Sequence, residues 1–186
     1  MGDFMDFFDL HCDTLTECMD DGDSLLKNER DIDFERGSIF GRWNQVFAVF
    51  VPDSMDDSLV EGYFDSACNF YFDELKKKGD VFPILSSEDV CGHSRGVMLA
   101  MESSRGVGSL ERLEKLYERG LRLITLTWNH KNRAAGGCDE GGGLTDWGRE
   151  LVSKMEKLGI VTDVSHLSDR SFYDPVSYTH LTLPTN

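Results

Sequence analysis

Dense apolar runs alternate with amphipathic segments along this chain, and that alternation constrains its fold more than any other feature. Phe7, Phe8 and Leu10 make a short β-type run near the start. Four longer runs follow at 43–51 (WNQVFAVFV), 96–102 (GVMLAME), 121–128 (LRLITLTW) and 160–166 (IVTDVSH). Their continuous apolar character suits strands buried on both faces. Between them, 56–78, 110–119 and 146–158 carry apolar residues at helical spacing, and glycines 79, 120 and 159 stop them. In the first of these the stripe is Leu59, Tyr63, Ala67, Phe70, Tyr71 and Leu75. Strand and helix alternating over short connections predict a parallel sheet with right-handed crossovers.

Two parallel architectures compete. A doubly wound sheet binds its ligand near a glycine-rich turn after the first strand, and no such turn follows Asp13. Instead, polar residues with metal-binding chemistry close three strands: His11 with Asp13, Glu102, and His166. Side chains alternate across a strand, so His11 and Asp13 share a side and Cys12 faces away into packing. An imidazole and a carboxylate so placed can clasp one divalent cation. That pair is the opening signature of metal-dependent hydrolases on (β/α)8 barrels, whose sites lie at the C-terminal strand ends. Each residue has a plainer reading: His166 as a satisfied core histidine, Glu102 as the start of a loop or a helix cap. Repeated placement at strand ends favours the barrel, with about five of its eight strands present.

The net charge of −15 argues against nonspecific nucleic-acid or anionic-membrane binding, which needs basic surface. Five scattered cysteines without a Cys-x-x-Cys pair suit reduced thiols and a cytoplasmic setting. No signal peptide or membrane-length apolar stretch is visible. Met1-Gly2 is followed by Asp6 where N-myristoylation wants Ser or Thr. The acidic run Asp20-Asp21-Gly22-Asp23 lacks the ligand spacing of a calcium loop and reads as a solvated turn.

The motifs Asp9-Leu-His-Cys-Asp13, Phe47-Ala-Val-Phe50, Leu99-Ala-Met-Glu102, Leu123-Ile-Thr-Leu-Thr-Trp-Asn129, Gly143-Leu-Thr-Asp-Trp-Gly148 and Gly159-Ile-Val-Thr-Asp-Val-Ser-His-Leu-Ser-Asp-Arg170 occur in one order at fixed spacing. With them the chain resembles the membrane dipeptidase (renal dipeptidase) family of zinc peptidases, up to Tyr173. The resemblance implies a (β/α)8 barrel and a binuclear zinc site: His11 and Asp13 on one Zn2+, Glu102 bridging, His166 on the other. It implies hydrolysis of small dipeptides by a water held between the metals, with no covalent intermediate and no nucleophilic role for Ser165 or Ser168. A related barrel hydrolase acting on another amide, lactam or lactone is the alternative, and a noncatalytic fragment the third reading. The family's substrate-contacting histidine after the fourth strand maps onto His130, with Asn129 or Asn132 as substitutes. Ser103-Ser104 stand where the family often has glycine. A homodimer is left open.

Residues 1–175 are expected to form the N-terminal part of one barrel domain. The remaining ligands, an arginine for the substrate carboxylate and a late aspartate would lie beyond residue 186. Residues 176–185 (VSYTHLTLPT) match the in-frame translation of a transposase sequencing adapter and do not resemble the next helix. The expectation is therefore a non-native tail at 176–186, with no role for His180, and a chain that folds poorly and hydrolyses little.

Overall fold

The computed structural model describes residues 5–178, with side chains through Asp174. Met1-Gly2, His180 and most of the expected tail lie outside the described residues. Six parallel strands form one sheet: β1 (Asp6–Asp9), β2 (Arg42–Phe50), β3 (Phe82–Pro83), β4 (Arg95–Glu102), β5 (Leu121–Thr125) and β6 (Val161–Asp163). The main path runs β1-β2-β4-β5-β6, with the two-residue β3 pairing beside β4. Every pairing is parallel, in chain order. This is an α/β fold with an open, curled sheet, an incomplete barrel of the (β/α)8 type.

The crossovers are α1 (Thr14–Asp21), α2 (Phe34–Gly37), α3 (Asp57–Lys77), α4 (Ser87–Gly92), α5 (Leu110–Glu118), α6 (Asp146–Leu158) and α7 (Asp169–Tyr178). Thr145 caps α6, its Oγ1 accepting from the Gly148 N–H at 2.9 Å, and Gly159 closes the helix at φ 78° where the sequence places its stop. The helix at 169 extends through Tyr178, past the boundary expected at 175.

Strands β2 and β4 sort their side chains by alternation. Trp43, Phe47, Val49, Val97, Leu99 and Met101 enter the large core under the helices, with Phe64, Tyr71, Leu113 and Leu151. Val46, Ala48, Ala100 and Leu123 line the opposite face, inside the barrel, with Met98 against them. In α3 the buried stripe is Val60, Phe64, Ala67, Cys68, Tyr71 and Leu75, while Leu59 is 62% exposed. The helix is thus rotated by one position from the stripe read in the sequence. A tolerant 3.6-residue period and about six turns of mixed residues allowed both.

Two strands are shorter than their apolar runs. Ladder pairing ends at Thr125 and at Asp163, and residues 126–128 and 164–166 turn into the rim. There the chain exchanges ladder bonds for loop contacts that place Trp128 and His166.

Asp33 makes a polar anchor beneath the β1–β2 crossover. It is 2% exposed, and its carboxylate accepts from the Arg36 N–H and Nε, each at 2.7 Å, and from the Asn28 N–H at 3.4 Å. Burial pushes its pKa up, but these bonds outweigh it and the net pKa lies below the ordinary 3.8. A lowered carboxyl pKa stabilises the fold above the unfolded-state pKa, and the benefit vanishes as pH falls through the folded value. Asp33→Asn should therefore lower the urea midpoint at pH 6–7, and the gap from the wild type should close below about pH 4. A gap independent of pH would remove the charge from this account.

Candidate metal centre

A register shift puts the first two candidate ligands inside the barrel. Asp9 lies opposite Gln45 in the β1–β2 ladder. Further on, the Cys12 N–H donates to Val46 O at 3.1 Å and the Ala48 N–H donates to Cys12 O at 2.9 Å, so Cys12 lies opposite Phe47. The first strand thus takes three steps while the second takes two, a bulge of one extra residue. A one-residue slip exchanges the faces of all side chains beyond it. Cys12 then packs under the helices with Phe47, where burial pushes its thiol up to about 12. His11 and Asp13 turn to the barrel side.

Asp13 occupies the N-cap of α1, yet its side chain makes no capping bond. Its carboxylate is free to face His11, with Oδ1 3.4 Å from His11 Nε2. Glu102 ends β4 and is 3% exposed, its main-chain oxygen held by the Val51 N–H at 2.7 Å. Its two oxygens diverge: Oε2 is 3.4 Å from His11 Nε2 and Oε1 is 3.2 Å from His166 Nε2. His11, Asp13 and Glu102 offer ligand atoms all within 4.8 Å of one another.

These separations suit a shared cation. Donors at about 2.0–2.2 Å from a tetrahedral zinc stand roughly 3.3–3.6 Å apart, whereas hydrogen-bonded N and O sit nearer 2.9 Å. The electrostatics agree. The Asp13 carboxylate facing the ring and the charges of Glu102 and Asp163 raise the His11 pKa against the effect of burial. Desolvation raises that of Glu102, with Asp13 and Asp163 adding to it and the two histidines opposing. Acids gathered at one rim gain most from a bound cation.

His166 sits at φ 63°, the one non-glycine residue with positive φ among the described residues. Such a conformation costs about 1–3 kcal/mol and persists where surroundings enforce it. Here its carbonyl accepts from the Cys138 N–H at 2.9 Å, and its ring lies 6.2 Å from that of Trp128. Trp128 packs edge-on against Phe50 at 5.2 Å and walls that side of the rim. Asp163 receives the Thr125 hydroxyl at 2.7 Å and the Ser165 N–H at 2.9 Å.

The structure brings His11, Asp13, Glu102 and His166 together and leaves His130 apart. His130 is half exposed, 4.0 Å from Asp139 and 3.9 Å from Glu140. It lines a separate cleft of about 550 Å³ with Arg105, Asn132 and Trp147. Asn132 is spent on the scaffold, donating to Leu126 O at 2.8 Å and to Ser103 Oγ at 3.2 Å. Ser103 and Ser104 build a 3-10 turn, Ser103 Oγ accepting from the Arg105 N–H and Ser104 donating to Leu126 O at 2.7 Å. Hydroxyls thereby stabilise the turn where the family often has glycine.

The model of the membrane dipeptidase family (peptidase family M19) matches residues 3–182. The chain belongs to that family. The match to the membrane dipeptidase family continues past Tyr173, where the motif resemblance stops. An uncharacterized dipeptidase of Schizosaccharomyces pombe is 38% identical over 77 residues, 38% of this chain and 18% of that protein. The solved dipeptidase AC, a metallo peptidase, superposes at TM-score 0.83 and 19% identity, covering 94% of this chain and 60% of its own. A metallo peptidase from Rhodobacter sphaeroides, liganded with a phosphinate mimic of L-Ala-D-Ala, gives 0.80 at 18% identity, covering 95% and 63%. This membrane dipeptidase family chain therefore spans less than two thirds of each of these relatives. No helix among its described residues is long and apolar enough to cross a membrane.

Proposed function

We propose that the parent of this chain is a zinc-dependent dipeptidase, and that His11, Asp13, Glu102 and His166 carry its two Zn2+ ions. The observation that supports this most is the divergence of Glu102, one oxygen toward His11 and the other toward His166. A carboxylate so placed lowers the repulsion between two cations and fixes their spacing. A metal pair held there would polarise a substrate carbonyl and lower the pKa of a bound water, making hydroxide available near neutral pH. The residues' own part is to hold that geometry. Asp13 and Glu102 bring negative charge to the His11 side, and the strained seat of His166 fixes the other imidazole. Trp128 and Phe50 shield one side of the rim from water. No Ser-His-Asp set is required.

Small dipeptides are the proposed substrates, L-Ala-D-Ala among them because a relative of the same fold holds its mimic. His130, on its separate cleft, is proposed only as a contact for the distal end of a substrate. A cytoplasmic location and a tail at 176–186 that takes no part in the site complete the reading. The test is a panel of L,L-dipeptides, L-Ala-D-Ala and lactams on the full-length enzyme, before and after chelation. Dipeptide hydrolysis that chelation abolishes and zinc restores is expected. Activity that survives chelation, or is confined to lactams, contradicts the proposal.

A further inference from the structure

We infer that Asn129 is a positioning residue, fixing His166 with its Nε2 bare and aimed at the second metal position. The inference rests on the metal assignment above and deepens it. Asn129 Oδ1 lies 2.9 Å from His166 Nδ1. A carbonyl oxygen only accepts, so Nδ1 must carry the proton. In a neutral imidazole this leaves the Nε2 lone pair free, and Nε2 is the atom 3.2 Å from Glu102 Oε1. Histidines that bind metals are commonly set in this way by a partner on their other nitrogen. His11 Nδ1 has no such hydrogen bond among the described residues, so the device belongs to one side of Glu102.

Asn129 is itself held from several directions. Its carbonyl accepts from the Asp139 N–H at 3.0 Å, and the Cys138 thiol stands 3.5 Å from Oδ1. Gly137 packs so closely that a Cβ there would collide with the Asn129 carbonyl. The same loop grips His166, through the Cys138 N–H on its carbonyl and a bridge between Gly137 and Leu167. One loop, 137–139, thus sets both the imidazole and its orienting amide. The short connection explains how a residue at positive φ keeps a defined ring orientation.

The test is metal titration of the full-length enzyme against a chelating indicator, using Zn2+ and, for its visible spectrum, Co2+. Asn129→Leu should weaken one of the two equivalents by about 10–100-fold, leave the other unchanged and alter the Co2+ spectrum. Asn129→Asp, which keeps an acceptor facing Nδ1, should restore binding to within about threefold of the wild type. Two unchanged equivalents in Asn129→Leu, or an Asp variant as weak as Leu, would overturn the inference. His166→Ala separates the two claims: loss of one equivalent there with none in Asn129→Leu sinks the positioning role alone. No loss in His166→Ala sinks the metal assignment. Should Asn129→Leu not fold, proton NMR of the zinc-loaded wild type decides. A His166 Nδ1–H resonance protected from solvent exchange supports the inference, and a freely exchanging one overturns it.

Discussion

Glu102→Gln should empty both metal positions while leaving the fold in place. Glutamine fills the same volume at the end of β4, and the strand's ladder and the Val51 N–H bond to the residue 102 carbonyl use main-chain atoms only. What disappears is the charge between His11 and His166. An amide offers one weak acceptor and presents N–H donors on its other side. It cannot bridge two cations, and their repulsion is no longer offset. Indirect partners of metal ligands change affinity about 10–100-fold, so loss of the bridge should exceed about 100-fold for both equivalents. Bound zinc by mass spectrometry and the circular dichroism spectrum together check this. Unchanged zinc content would show that Glu102 does not bridge.

Phe47→Ala carries the largest expected cost in stability, about 3–5 kcal/mol by the usual range for deleting a buried aromatic. The ring is fully buried and packs edge-on against Phe34 at a centroid distance of 6.1 Å. Total stabilities of domains run only about 5–15 kcal/mol, so this loss removes a large share. It also has a local consequence, since Phe47 lies opposite Cys12 across the bulge that turns His11 and Asp13 inward. The variant should therefore unfold at much lower urea and bind metal more weakly in its remaining folded fraction. A midpoint shift worth under about 1 kcal/mol would mean that the core beneath the bulge is not close-packed.

The order of strands and helices was legible because apolar runs and amphipathic periods differ in length and spacing. The helix stop at Gly159 and the strand-end placement of Glu102 were equally plain. Three features were not. The bulge between Asp9 and Cys12 leaves no compositional mark, and the alternation rule gave the right relative facing of His11 and Asp13 without saying which face they take. The exposed side of α3 depended on a rotation of one residue, which Leu59 and Val60 satisfy equally as sequence. The clasp of Asn129 on His166 joins residues on two different loops, and contact across that separation has no local signature. Only the position of Asn129 at the end of an apolar run hinted at the rim.

The central claim is that one buried carboxylate divides two metal positions, one beside His11 and Asp13 and the other beside His166. Anomalous scattering at the zinc edge from crystals of the zinc-loaded full-length enzyme tests it most directly. Two peaks about 3.5–4 Å apart, on opposite sides of the Glu102 carboxylate, are predicted. A single peak shared by all four residues, or none within reach of Glu102, would contradict the account.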